Sequence, residues 1–211
     1  MKLLLATRNP AKLVELRRIL SDTGAGGGVE VLGLSDVPEF PEAPETGATF
    51  AENALAKARD AAAATGLVSV ADDSGLTVDA LNGMPGVLSA RWSGRHGDDE
   101  ANLRLVLDQL SDTPDERRGA AFVCAAALVV PGAAPGPDGE SPGRTVVHGT
   151  WRGTLLRAPR GENGFGYDPI FRPDGDERSS AELCPDEKDA LSHRGQALRA
   201  LGPHVLALAG S

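Results

Sequence analysis

Apolar positions along the chain follow two rhythms. Leu3, Leu4 and Leu5 sit in a short apolar run over 2–6 that reads as a buried strand. Asn9-Pro10 then signals a helix, with Asn9 at the N-cap and Pro10 first inside, and Leu13, Leu16 and Leu20 recur at helical spacing. Glycines over 24–28 close that helix, and 29–34 returns as a strand. A loop over 35–47 carries three prolines and four acids, Asp36, Glu39, Glu42 and Glu45. Thr49 and Glu52 form a capping-box pattern ahead of an Ala-rich helix that Gly66 ends. Residues 67–71 read as a strand ending in Asp72-Asp73-Ser74-Gly75, and Asp98-Asp99-Glu100 opens a helix whose Leu103, Val106, Leu107 and Leu110 face inward. Long strands are expected over 120–130 and 145–156, joined by a Pro/Gly-rich hairpin loop over 131–143 to which no function is assigned. A Gly-rich segment over 161–169 leads into a short strand at Ile170-Phe171. Ser179 and Glu182 form another capping-box pattern, and the end is helical, with His193-Arg194 early in it. Interleaved strands and helices, with consecutive long strands in the second half, predict an α/β domain on a mixed sheet.

Composition narrows the function classes. The 211 residues suit one domain or two joined lobes. Lys plus Arg gives 21 and Asp plus Glu gives 30, so the net charge of −9 argues against gripping a nucleic-acid backbone. It leaves room for a small anion held by local cations and a metal. The apolar run over 120–130 is too short to span a bilayer, and the first residues lack a leader-length apolar stretch, so a cytoplasmic protein is expected. Cys124 and Cys184 fit no zinc spacing and are expected as buried, reduced thiols.

Four groups of residues carry candidate chemistry. Lys12 lies in the first turn of its helix, where the dipole disfavours a cation by roughly 0.3–1 kcal/mol. It is either recruited by an anion docked on the helix amides or solvated and paired with Glu15. The adjacent acids Asp72 and Asp73 point to opposite faces of an extended chain, so one could bind Mg2+ while the other orients a neighbour. The alternative is an Asp-capped turn; Glu45 and Glu52 are the further acids. Over 161–168, glycines frame Phe165 and Tyr167 as a nucleobase wall or as an aromatic-anchored turn. Lys188 with His193-Arg194 reads as a phosphate or purine-edge site, or as a surface charge cluster. Trp92 and Trp151 read as core or rim aromatics, and His96, His148 and His204 show no metal-ligand spacing.

Together these blocks resemble a known family. They are Ala6-Thr7-Arg8-Asn9-Pro10-Ala11-Lys12 with Glu15; Glu45-Thr46-Gly47-x-Thr49-Phe50-x-Glu52-Asn53-Ala54 with Lys57-Ala58; Ala71-Asp72-Asp73-Ser74-Gly75-Leu76; Pro85-Gly86-Val87-x-Ser89-Ala90-Arg91; Gly164-Phe165-Gly166-Tyr167-Asp168-Pro169-Ile170-Phe171; and Ser192-His193-Arg194-Gly195-Gln196-Ala197. In this order they are similar to the non-canonical purine nucleoside triphosphate pyrophosphatases, also called inosine/xanthosine triphosphate pyrophosphatases. The resemblance spans nearly the whole chain. It implies an elongated α/β fold with a central mixed sheet flanked by helices, a single pyrophosphatase domain over 1–211 with two lobes around a nucleotide cleft, and a homodimer. It also implies Mg2+-dependent hydrolysis of ITP, dITP and XTP to the monophosphate and pyrophosphate, which removes deaminated purines from the nucleotide pool.

Residue roles carry over from the same resemblance. Thr7, Arg8, Asn9, Pro10, Ala11 and Lys12 would hold the triphosphate. Asp73 would be proton acceptor and metal ligand, with Glu45 a second ligand. Ser74 would touch substrate, Phe165, Gly166, Tyr167 and Asp168 would form the base and ribose wall, and Lys188, His193 and Arg194 would complete the site, the last two near the 6-keto edge. Two departures stand out: some members have Gly where Arg8 stands, and some have a second acid where Pro44 stands. Two other readings compete, a non-catalytic nucleotide sensor on the same scaffold and a pyrophosphatase for modified pyrimidine triphosphates.

Overall fold

The computed structural model describes residues 1–7, 10–22, 28–41, 44–132 and 143–210. Strands β1 (Lys2–Leu5), β2 (Glu30–Leu32), β3 (Val68–Val78), β4 (Gly119–Val129), β5 (Arg144–Leu155) and β6 (Phe171–Pro173) form one six-stranded sheet in the order β2-β1-β3-β4-β5-β6. β1 runs parallel to both neighbours, with Leu3 opposite Val31 on one side and Val68 on the other, whereas β6 is antiparallel to β5. The sheet is therefore mixed. β3 and β4 are buried along nearly their whole length, as strands covered on both faces must be. From Gly149 to Leu155, β5 instead alternates buried and more exposed positions.

The helices are α1 (Pro10–Asp22), α2 (Phe50–Thr65), α3 (Asp99–Gln109), α4 (Pro185–Leu191) and α5 (His193–Ala209). The Thr49 hydroxyl accepts from Glu52 N at 3.2 Å, but the Glu52 carboxylate accepts from Ala48 N rather than Thr49 N, so the box closes one residue early. Gly66, in the left-handed conformation at φ 69°, ends α2 with its N–H on Ala62 O. Ser179-x-x-Glu182 caps only a single 3₁₀ turn, Ser180–Glu182, ahead of α4. The expected N-cap Asn9 lies outside the described residues, as do most of the 24–28 glycines and residues 133–142 of the β4–β5 connection. Cys124 is buried as expected; Cys184 is exposed, because it precedes α4 on the surface rather than packing beneath it.

The chain divides into two compact units: Met1–Asp73, Ala125–His148 and Gly195–Ser211, and Ser74–Cys124 with Gly149–Arg194. In the first, Ala54, Ala58 and Ala62 along one face of α2 share a core with Ala71, Ala125, Ala127 and Val129. In the second, Leu103 and Val106 of α3 and Leu110 just after it pack with Leu76, Val78, Phe122, Trp151 and Phe171. Arg118 is buried there, and its guanidinium donates to the carbonyls of Leu110 (2.7 Å), Leu155 (2.9 Å) and Leu156 (2.9 Å). These bonds tie the residue that ends α3 to the end of β5.

The expectation that a strand stops at Asp72-Asp73-Ser74-Gly75 is corrected: β3 continues through all four residues to Val78. Asp, Ser and Gly are poor strand formers and common turn residues. Side-chain partners for both acids, described next, outweigh that preference.

Candidate active site

The acids of β3 lie in the first unit. Asp72, almost wholly buried, accepts a hydrogen bond from Lys12 Nζ at 2.7 Å. The first-turn lysine is thus held by a buried carboxylate. Asp73 accepts from Asn53 Nδ2 at 3.0 Å on one oxygen and from Lys57 Nζ at 3.3 Å on the other. Asn53 and Lys57 are one helical turn apart on α2 and so present one face to the strand. Lys57 Nζ also donates to Glu45 Oε1 at 2.9 Å.

Asn53 reaches the acidic loop too, its Oδ1 accepting from Gly47 N at 2.8 Å. A Cβ on Gly47 would come within 2.6 Å of that same Oδ1 and 2.8 Å of Glu52 Cβ, so only glycine permits this approach. The Glu45-Thr46-Gly47 loop, α2 and Asp73 therefore form one constellation. Asn53 and Lys57 appeared in the sequence only as family-block residues without a role. Their spacing from the Thr49 cap was the available signal. Glu52, exposed and engaged by Ala48 N, caps the helix.

The electrostatics follow from one cation shared by two acids. Burial raises the Asp73 carboxyl above its ordinary range; Lys57 and Asn53 oppose this, and the Glu45 charge adds to it. Burial works against the Lys57 charge, but Asp73 and Glu45 together more than offset it and raise its pKa. A carboxylate shifted upward in this way is a stronger base than a solvated one.

Among the described residues no group of three or more His, Cys, Asp or Glu side chains forms a metal cage. Magnesium needs none, since it usually takes one or two protein carboxylates together with phosphates and waters. Glu45 and Asp73, both facing the Lys57 ammonium, fit that requirement.

The second unit holds an aromatic and cationic cluster. Phe165 is 53% exposed, with Lys188 Nζ 5.4 Å and Arg194 Cζ 5.9 Å from its ring centroid. Arg194 Nη2 also donates to Ser74 Oγ at 3.2 Å. Asp168 is buried and organises the cluster from below: it pairs with Lys188, accepts from Phe165 N at 2.8 Å and accepts from Ser180 Oγ at 2.8 Å. A Cβ at Gly164 would lie 2.9 Å from Asp168 Cγ.

The structure thus brings Ser74, Phe165, Asp168, Lys188 and Arg194 together. The Gly166 N–H is engaged by Asp99 Oδ2 at 2.9 Å. Tyr167 is buried with its hydroxyl donating to Ser89 O at 2.8 Å, and burial, with the Asp99 charge adding, pushes its phenol well above its usual pKa. His193 stacks on Phe122, ring centroids 4.9 Å apart, at the edge of the aromatic core. Of the expected phosphate segment, Pro10 and Ala11 open α1 and Thr7 precedes it, while Arg8 and Asn9 lie outside the described residues.

A model of the Ham1 family matches residues 3–204. A dITP/XTP pyrophosphatase of Nocardia farcinica is 65% identical over 208 residues, covering 99% of this chain and 96% of that relative. One of Mycobacterium tuberculosis is 61% identical over 208 residues, covering 99% and 97%. Among solved structures, a nucleoside-triphosphatase / dITP/XTP pyrophosphatase from Mycobacterium abscessus aligns with a TM-score of 0.76 at 62% identity, covering 96% of this chain and all of that one (100%). A HAM1 protein from Coxiella burnetii aligns at 0.84 and 42% identity, covering 98% and 99%.

Proposed function

The chain belongs to the Ham1 family, and from that premise we propose that it hydrolyses deaminated purine nucleoside triphosphates (dITP, ITP and XTP) to the monophosphate and pyrophosphate. The observation that carries this reading is Asp73, a buried carboxylate that shares the Lys57 ammonium with Glu45. In the proposed step Asp73 accepts a proton from a water whose oxygen bonds to the α-phosphorus. The bond from that phosphorus to the bridging oxygen breaks, and pyrophosphate leaves. General-base help of this kind contributes on the order of 10²–10⁴ in rate. Lys12 exchanges Asp72 for phosphate oxygens, with the segment from Thr7 to Lys12 around them. Glu45 and Asp73 would hold Mg2+, which when bound neutralises triphosphate charge.

The second-unit cluster serves the base. The exposed Phe165 ring offers a stacking face, and Arg194 offers donors to a 6-keto oxygen. Adenine presents a donor at that position, a mismatch worth roughly 1–3 kcal/mol. The same reading takes 1–211 as a single catalytic domain, a homodimer acting in the cytoplasm without nucleic acid. No helix among the described residues is long and apolar enough to cross a membrane.

The test is product analysis. Purified protein is incubated with dITP, ITP, XTP, GTP and ATP, with Mg2+ or with chelator, and pyrophosphate is quantified apart from orthophosphate. Pyrophosphate from the deaminated purines, little from ATP and none with chelator is expected. Orthophosphate alone would place the cleavage at the terminal phosphate and contradict the reading. Binding of ITP without any product would favour the nucleotide sensor.

A further inference from the structure

We propose that Asp99, at the start of α3, is a positioning residue that sets the Phe165 ring for the base; this rests on the proposed reading of Phe165 as the stacking face. The loop around Phe165 turns on two glycines with positive φ, Gly164 at 79° and Gly166 at 62°, so its backbone has unusual freedom before anything restrains it. Several bonds restrain it, among them Asn163 N to Ala181 O at 3.0 Å and Asp168 N to Phe165 O at 3.3 Å. Phe165 N donates to Asp168, Gly166 N donates to Asp99 Oδ2 at 2.9 Å, and the Tyr167 hydroxyl donates to Ser89 O. Asp168 and Tyr167 are buried and belong to the loop itself, whereas Ser89 and Asp99 hold it from 78 and 67 residues away in sequence.

Asp99 stands on a fixed support. Asp98 caps α3 by accepting from Ala101 N at 3.2 Å, Leu103 and Val106 are buried in the unit's core, and buried Asn102 accepts from Ser93 N at 2.7 Å. The helix thereby fixes the amide that follows Phe165, while the ring itself stays exposed. A ring held in its binding pose before the substrate arrives lowers the ordering cost of association. An acid in a first helical turn also stabilises the helix through its charge alone. The two roles separate by chemistry: the helix effect needs the negative charge, and the loop bond needs only an acceptor.

The test uses Asp99→Ala, Asp99→Asn and Phe165→Ala in the full chain. With ITP, Asp99→Ala should raise KM about two- to fivefold, the loss expected for one solvent-exposed hydrogen bond, with kcat within about twofold. Asp99→Asn should restore KM while leaving any melting-temperature loss in place, since it keeps the acceptor and lacks the charge. In the Phe165→Ala background Asp99→Ala should add little further, because the two act as one unit. Amide exchange of the peptide spanning 161–168 should speed up in Asp99→Ala and not in Asp99→Asn. Additive KM effects, an Asp99→Asn variant as impaired as Asp99→Ala, or unchanged exchange in Asp99→Ala would each overturn the proposal. The exchange arm needs no substrate, so a wild-type protein inert toward ITP would defeat the functional reading separately.

Discussion

Lys57 faces two carboxylates at once, and Asp73 is the more buried of the two. Because burial raises the Asp73 pKa above its unfolded value, its acid form is favoured in the folded chain. Its ionisation therefore lowers stability as pH rises through the folded pKa, and costs nothing below the unfolded one. Asp73→Asn keeps the shape and one acceptor oxygen, removes the charge, and sets its amide NH2 against a donor, either Asn53 Nδ2 or Lys57 Nζ. Its turnover should fall by at least about 10²-fold. In chelator-treated protein the wild type's melting temperature should fall relative to the variant's as pH rises from the ordinary carboxylate range through the raised folded pKa of Asp73. Melting curves at several pH values check this; a difference between variant and wild type that stays constant with pH would contradict the upward shift. At this scale the chain was partly legible. Asp73, Lys12, Ser74, Phe165, Lys188 and Arg194 stood out by type and by family pattern. The Lys12–Asp72 pair did not, since 60 residues separate its partners and no local rule joins them. Tyr167 stood out as an aromatic among glycines, but the anchoring of its hydroxyl on Ser89 O did not, since 78 residues separate the two.

β3 shows what an element can override. Its Asp-Asp-Ser-Gly segment carries turn signals, yet it stays extended because α1 and α2 supply Lys12, Asn53 and Lys57 to its acids. Gly75 serves the same end in the second unit. A Cβ there would lie 2.6 Å from the Gly86 carbonyl oxygen and 2.9 Å from Ser89 Cβ, as well as against Ser89 Oγ, which accepts from Leu76 N and donates to Gly86 O. The strand and the 3₁₀ turn Gly86–Arg91 can meet this closely only through glycine. Gly75→Ala should therefore destabilise the fold by about 1–3 kcal/mol, the usual cost of overpacking. Urea denaturation measures it, and a midpoint equal to the wild type's would show that the turn yields freely. Periodic elements such as α2, α3 and β4 were readable from the chain alone. The course of β3 was not, since it depends on contacts from distant helices.

For the molecule as a whole, the mixed α/β sheet followed from the interleaving of strand and helix patterns, and six strands with parallel and antiparallel pairs realise it. The order of those strands was beyond local pattern, because β3 pairs with β1 only after a helix, a strand and a second helix have intervened. The acidic balance of −9 bears on function more than on fold. Against that net charge, cations are held locally: Lys12 and Lys57 beside acids in the first unit, Lys188 and Arg194 beside Phe165 in the second. In the proposed reaction water, deprotonated by Asp73, attacks the α-phosphorus. Hydrolysis of ITP in heavy-oxygen water, with mass analysis of both products, tests it most directly. Attack at the α-phosphorus leaves the heavy oxygen in the nucleoside monophosphate and none in pyrophosphate. Heavy oxygen in the pyrophosphate would place the attack on the β-phosphorus and contradict it.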